Sequence, residues 1–236
     1  MFLKFARTKK RHFLLSLFYK LDTFFPLSKE RKLKLYLDFE WIFERLAHEK
    51  SFLVFKEHPV RKRSFEFLKS KLTQDHSVLD LGCNTGDLAY QISTCVKNVV
   101  GIDYNNNHII QARQKYTQEN IQFIHGEVVE YLQQNSLRFD VMILSHILEH
   151  LETPESFLNN CKKFFKCIYI EVPDFERSHL NVYRQELGSG LIYADADHIW
   201  EFDRTSMKDL IQKTGLEIID EEYRLGVQKY WCRMPV

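Results

Sequence analysis

Three residues of the stretch SHILEH, His146, Glu149 and His150, stand at i, i+3 and i+4, a spacing that one helical turn brings to a single face. Imidazoles and a carboxylate grouped in this way can take or give a proton near neutral pH. Further along, YADADHIWEFDR offers Asp195, Asp197 and His198, with two carboxylates able to orient an imidazole. A second kind of chemistry is written in VLDLGCNTGDLA, residues 78–89. It reads as a buried strand, a glycine-punctuated turn and a helix start, the layout that cradles a nucleotide. Gly82 and Gly86 stand four apart with Asn84 between them, so this is not the GxGxxG of a dinucleotide site. Asp80 and Asp87 also place carboxylates where a diphosphate would want none.

These residues need a scaffold, and the apolar rhythm supplies one. From residue 77 onward, strand candidates fall at 77–81, 98–102, 121–125, 139–145, 167–172 and 216–223, with a weaker one at 227–233. Helices are expected between them at 86–95, 105–118, 154–166 and 204–214. Runs such as VMIL and CIYI are almost continuously apolar, as in parallel strands covered on both faces. The pattern predicts an α/β fold with a doubly wound, mostly parallel, seven-stranded Rossmann-like sheet. Residues 173–198 form the one long irregular connection, and a segment of that length is commonly functional.

Residues 1–75 are expected to form a basic, aromatic-rich helical extension, and 76–236 the ligand-binding domain. Ser28 is placed to cap a helix over 29–49, with Leu33, Leu37, Ile42 and Leu46 near one stripe. Another helix is expected over 60–72, and a short amphipathic one within 10–25 with Phe13, Leu14, Leu17, Phe18 and Leu21 on one face. Packing on the main domain is the expected use of that face, and docking on a membrane surface is the alternative.

The formal net charge of +1 conceals an asymmetry: residues 1–73 hold 18 Lys and Arg against 8 Asp and Glu, the remainder 15 against 24. Either the two parts attract each other, or the extension meets something anionic, such as a phospholipid headgroup, a phosphorylated glycan or a nucleic acid. The five cysteines show no CxxC pairing, which favours a reducing compartment and argues against structural zinc. The run FLLSLFY is broken by Lys20 and Asp22, too short to span a bilayer and followed by no small-residue cleavage site. A cytoplasmic protein is the expectation, with peripheral membrane contact as the alternative.

In a doubly wound sheet, ligands bind beyond the carboxyl ends of the strands, where Gly82, Asn84 and Gly86 lie. Asp103, at the end of VVGID, is placed to take two ribose hydroxyls, which fits NAD and other adenosine ligands alike. The acidic turn separates them. S-adenosylmethionine brings a sulfonium and an ammonium, both cationic, where a dinucleotide brings a diphosphate.

VLDLGCNTGDLA, VVGIDYN, FIHGEVVEYL and FDVMILSHILEHLETPESFL together resemble the successive motifs of the class I, Rossmann-like S-adenosylmethionine-dependent methyltransferases, in the group with an LEH motif (the type 11 and type 23 methyltransferases). The resemblance spans roughly residues 77–223. It implies that Asp80, Gly82, Asn84 and Gly86 hold the methionyl end and that Asp103 binds the ribose. It places Tyr104 beside the adenine, Glu127 at the adenine amine, and Ser145 and His146 near the methyl group. Asn84 stands where the family more commonly has Gly, and Glu127 where it more commonly has Asp.

Methyl transfer asks mainly for alignment, but a hydroxyl acceptor also needs a base. His146, His150 and His198 are the candidates, although in this family the Glu–His pair often only buttresses the loop after the fourth strand. LEH followed by DHIWEFDR further resembles the plant-type small-RNA terminal 2′-O-methyltransferases and the ubiquinone-pathway O-methyltransferases. That likeness implies a divalent-metal alternative with His146, Glu149, His150 and His198 as ligands, a set better suited to a transition metal than to magnesium. The expected reaction is O-methylation of a small-molecule or glycan- or lipid-linked hydroxyl acceptor, anionic in character. Arg177, Tyr183, Arg184 and Tyr193 of the long segment suit a sugar or phosphate. The rivals are an RNA 2′-O-methyltransferase, weakened by the lack of a recognisable RNA-binding module in the extension, and a non-catalytic binding protein on the same fold.

Overall fold

The computed structural model describes residues 13–55, 57–135, 138–192, 195 and 197–235; the basic patch at 9–11 and Tyr193 lie outside them. Among the described residues seven strands form one sheet: β1 (Ser77–Leu81), β2 (Asn98–Asp103), β3 (Ile121–His125), β4 (Phe139–Ser145), β5 (Phe165–Pro173), β6 (Glu217–Arg224) and β7 (Val227–Arg233). Their order is β3-β2-β1-β4-β5-β7-β6, parallel throughout except that β7 runs antiparallel to both neighbours. The chain winds outward from β1 to β3, then returns to β4 on the other side of β1. A crevice therefore opens between the carboxyl ends of β1 and β4.

Both faces of the sheet are covered, which is why its central strands read as apolar runs. On one face Leu79, Met142, Leu144 and Ile170 pack under α6 (Val128–Asn135), α7 (Pro154–Cys161) and α9 (Arg204–Lys213). On the other, Val78, Val141, Ile143 and Tyr169 pack under α4 (Asp87–Ser93), α5 (Asn106–Lys115) and α3 (Pro59–Lys69). Leu79 and Ile143 are fully buried, each contributing about 1.5–3 kcal/mol relative to exposure. Phe67 and Leu68 of α3 share that second core, so this helix is a structural layer of the sheet.

Two helices precede it. In α2 (Lys29–Val54), Ser28 caps as expected, accepting from the Arg31 amide at 3.3 Å. The helix outlasts its predicted end at 49, and only Leu37 of the expected stripe is buried, with Leu33, Ile42 and Leu46 exposed. In α1 (Phe13–Phe24) no residue is buried, so the expected packing of its apolar face on the domain is not found. Phe13 is 76% and Phe24 81% exposed. What joins α1 to α2 is polar: Asp22 accepts from the Tyr36 hydroxyl at 2.5 Å and pairs with Lys32 at 3.2 Å.

The segment 173–198 is less irregular than expected, because α8 (Leu180–Glu186) lies within it. It packs on α2, where buried Arg184 donates to the Leu37 carbonyl at 2.9 Å and pairs with Glu40. Arg177 pairs with Glu44 through two bonds of 2.6 and 2.9 Å, and Ser189 donates to Asp38 at 3.1 Å. These α2 contacts use its carboxylates, which leaves Lys29, Arg31 and Lys34 exposed on the extension.

Candidate functional site

The glycine turn is anchored to the neighbouring strand: the amides of Gly82 and Cys83 donate to the Ile102 carbonyl at 2.8 and 3.1 Å. Three of its residues are left-handed, Gly82 at φ 68°, Asn84 at 48° and Gly86 at 81°. A Cβ on Gly82 would stand 2.3 Å from the Ile147 Cδ1, and one on Gly86 2.5 Å from the Phe123 ring. Protein packing, as well as any ligand, thus demands glycine there. Asn84 adopts the conformation with its Oδ1 accepting from the Thr85 amide at 2.7 Å.

Behind the turn, Asp80 is buried, with Oδ2 meeting no partner. Burial, and then the nearby Asp103 carboxylate, push its pKa up to about 7. Asp103 accepts from the amides of Asn84 (2.9 Å) and Asn105 (2.8 Å), one on each oxygen, which leaves each oxygen a lone pair for hydroxyl donors. Asp87, by contrast, is engaged: it accepts from Lys115 at 2.6 Å and from the Tyr116 hydroxyl at 2.5 Å. Burial would raise the Asp87 pKa, but these partners hold it below the ordinary value. Of the two turn carboxylates, Asp80 alone is free to answer a cation. Tyr104 is 78% exposed, its carbonyl bonded to the His125 ring at 2.9 Å, and Glu127 is exposed on the loop after β3.

A cavity of about 1110 Å³ begins at Asp80, Gly82 and Asn84 and runs past Ser145 and His146 to His150 and His198. Its far wall is α2, through Trp41, Glu44, Arg45 and His48. Asp103, Tyr104 and Glu127 stand at the same end of the sheet but outside the lining of this cavity.

SHILEH does not form an α-helix; it makes a 3₁₀ turn at Leu148–His150. His146 stands just before that turn and meets Glu149, while His150 Nδ1 lies 3.3 Å from the Asp197 carbonyl. His146, at φ 56°, holds its ring nitrogens 3.1 Å from Glu149 and 3.3 Å from Glu171. Burial alone would lower its pKa, but the two carboxylates outweigh that and push it up to about 10. The raised pKa favours the imidazolium, which has no lone pair to take a proton. Glu171 is the residue sequence reading missed. It also accepts from Ser64 and Tyr169, both at 2.5 Å, and from Ser145 at 3.2 Å. Burial would raise its pKa, yet His146 and these hydroxyls hold it below the usual value. The one available signal was a lone carboxylate near the end of the apolar strand FKCIYIEVP.

His150 and His198 come together as the sequence reading placed them, their rings edge to face at 4.9 Å. The amides of Ile199 and Trp200 both donate to the Glu149 carbonyl, at 2.8 and 3.1 Å, and pin the second motif to the first. His198 Nδ1 lies 2.8 Å from Glu201, a second residue not foreseen. Burial lowers and Glu201 raises the His198 pKa, and the net direction is upward. Glu149 is fully buried and its Oε2 has no partner. Glu149, His150 and His198 each offer a ligand atom within 4.8 Å of the others, whereas His146 of the expected metal set is held by two carboxylates. Of the two arginines expected to face an acceptor, Arg177 lines the cavity but is paired with Glu44, and Arg184 lies outside the lining, buried against Glu40 of α2.

The family profile described as a methyltransferase domain matches residues 39–221. The chain belongs to this methyltransferase family. The buried, unpartnered Asp80 oxygen beside a left-handed turn fits a cationic cofactor. Among solved structures, this methyltransferase is similar in fold to magnesium protoporphyrin IX methyltransferase from Synechocystis PCC 6803 with bound SAH. The TM-score is 0.57 at 14% identity, covering 75% of this chain and 82% of the other. A SAM dependent methyltransferase from Aquifex aeolicus matches with the same TM-score and identity, over 75% and 94% of the two chains. Among curated proteins, the ubiquinone biosynthesis O-methyltransferase of Glaesserella parasuis is 27% identical over 95 residues, 38% of this chain and 40% of that protein. The methyltransferase thus aligns with less than half the length of the curated relatives it matches. No described helix is long and apolar enough to cross a membrane.

Proposed function

We propose that this methyltransferase transfers a methyl group to a hydroxyl oxygen of a small, anionic acceptor, free or carried on a glycan or lipid. The observation that carries the reading is the His198–Glu201 pair at 2.8 Å, set against His150 in the wall of the cavity. With Nδ1 held by a carboxylate, His198 keeps Nε2 for the acceptor hydroxyl, the arrangement of a general base fixed in one tautomer. His146, held between Glu149 and Glu171, stands nearby as a positioning residue and not as the base. The distant likeness to ubiquinone biosynthesis O-methyltransferases supports oxygen as the methylated atom.

On this reading Asp80 faces the ammonium of the methionyl end, with Gly82, Asn84 and Gly86 shaping the turn around it. Asp103 takes the ribose hydroxyls, Tyr104 and Glu127 the adenine, and Ser145 lies near the methyl group. When bound, S-adenosylmethionine supplies an activated methyl carbon; the protein supplies alignment, a base and the exclusion of water. The exposed apolar surface of α1, beside Lys29, Arg31 and Lys34, supports peripheral contact with an anionic membrane and hence access to a lipid-linked acceptor.

One observation favours a second reading. The Glu149 carboxylate, one of whose oxygens has no partner, and two imidazoles offer ligand atoms within 4.8 Å of one another, a nitrogen-rich donor set that suits a transition-metal ion. Such an ion would polarise the acceptor hydroxyl. A screen of methyl transfer from labelled donor to sugar nucleotides, lipid-linked glycans, phenolic acids and RNA, with and without chelator, tests both. Transfer to RNA alone, or to nitrogen, overturns the acceptor reading.

A further inference from the structure

The cations of the cavity region fall into two groups. Arg45, Lys62, Arg63, Arg177 and Arg184 each pair with a carboxylate, respectively Asp195, Glu57, Glu222, Glu44 and Glu40. Arg61 lines the cavity and meets no carboxylate among the described residues. Its guanidinium lies over the Phe52 ring instead, 5.8 Å from the centroid. Phe52 in turn stacks on His58 at 4.8 Å and 12°, and crosses His48 edge-on at 5.0 Å. His48 and His58 stand 5.4 Å apart, and all four side chains line the same cavity. The end of α2 and the start of α3 thus build a wall of two imidazoles, one guanidinium and one aromatic ring.

We propose that Arg61, His48 and His58 form a subsite for the anionic group, carboxylate or phosphate, of the methyl acceptor, with Phe52 as its apolar floor. This rests on the acceptor reading above and adds where the negative charge goes. A guanidinium presents a planar fork that matches a carboxylate or phosphate, and its packing on Phe52 restricts the rotamers it must give up on binding. Burial, and then the charges of His48, Arg61 and His146, hold the His58 pKa below its ordinary value. Among these groups Arg61 lines the cavity without a carboxylate partner among the described residues, whereas His146 is held by Glu149 and Glu171. Of the carboxylates lining the cavity, Glu44, Glu57, Asp87, Glu171 and Asp195 pair with Arg177, Lys62, Lys115, His146 and Arg45, and Asp80 is assigned above to the cofactor end. Ser64, three residues after Arg61 on α3, donates to the Glu171 carboxylate that holds His146, so the subsite adjoins the end of the cavity where Ser145 and His146 lie, and one small molecule can span both.

The test is calorimetry on the full chain saturated with S-adenosylhomocysteine, titrated with benzoate and, separately, with inorganic phosphate at constant ionic strength. Saturable binding of at least one anion is expected; benzoate alone assigns a carboxylate acceptor, phosphate alone a phosphorylated one. Arg61→Gln should weaken that binding about tenfold or more, the scale of a bond to a charged group. Arg61→Lys should retain part of it. Lys62→Gln, an adjacent but paired cation, should change it by less than about twofold, and both variants should keep cofactor affinity within the same margin. The proposal is overturned if neither anion binds saturably, if Arg61→Gln binds like wild type, or if Lys62→Gln loses as much. Methyl transfer is measured separately: intact anion binding without turnover on any hydroxyl acceptor sinks the O-methylation reading and leaves the subsite standing.

Discussion

The rings of His150 and His198 meet edge to face with their centroids 4.9 Å apart, and the buried Glu149 carboxylate lies within 4.8 Å of a nitrogen of each. Two motifs far apart in the chain are closed on one another by the Ile199 and Trp200 amides on the Glu149 carbonyl. His198 is the better placed of the two to move a proton, because Glu201 orients it. His198→Ala should lower turnover roughly 10²–10⁴-fold with cofactor affinity and melting temperature little changed. Loss of wild-type activity on adding chelator would assign His198 to a metal instead. Wild-type turnover in the variant excludes both chemical roles.

Asp103 holds two backbone amides and keeps further lone pairs toward the ligand side. Asp103→Ala should weaken cofactor binding by about 1.5–3 kcal/mol, measured by calorimetry in a variant shown to be folded. An unchanged dissociation constant means that the carboxylate only braces the turn.

Asp80 sets a pH dependence. Its folded pKa, about 7, is raised above the unfolded value, so the ionised form is disfavoured in the empty site. The sign follows: the empty protein is most stable below the unfolded pKa and loses that contribution as pH rises toward 7. A cation binds the ionised form, so cofactor affinity should fall as pH drops from about 7.5 to about 5.5. Asp80→Asn should bind more weakly and flatten this profile. A profile that keeps its slope in the variant assigns the dependence to another group.

Removing residues 1–25 should leave cofactor affinity and melting temperature almost unchanged, because no residue of α1 is buried. The Asp22 pairs lost with it are solvent-screened and contribute little. Sedimentation with vesicles separates the roles of that helix. The full chain should bind anionic vesicles, less so at high salt, and the truncated chain should not. Failure of the full chain to bind any vesicle ends the membrane reading.

The strands were legible because a doubly wound sheet buries both faces, so runs such as VMIL announce themselves. The glycine turn and Asp103 were legible because their backbone geometry and spacing are local. Helix α8 was not, since what holds it is Arg184 reaching Leu37 and Glu40 on α2, a pairing no local pattern encodes. The same distance in sequence hid the fates of Arg177 and Glu171. A lone carboxylate in an apolar strand says nothing of Ser64, which arrives from α3 to meet it. The apolar stripe of α1 read as a core face because periodicity reports amphipathicity and not what the apolar side touches.

The cofactor turn is built from β1, α4 and β2, whereas the opposite wall of the cavity is α2, fastened to α8 and its flanks through Asp38, Glu40 and Glu44. The two walls share no residue. On the acceptor reading proposed above, the side chains that α2 and the start of α3 present to the cavity can change without touching the turn. Any graft of α2 must keep those three carboxylates, because they fasten it to α8 and its flanks.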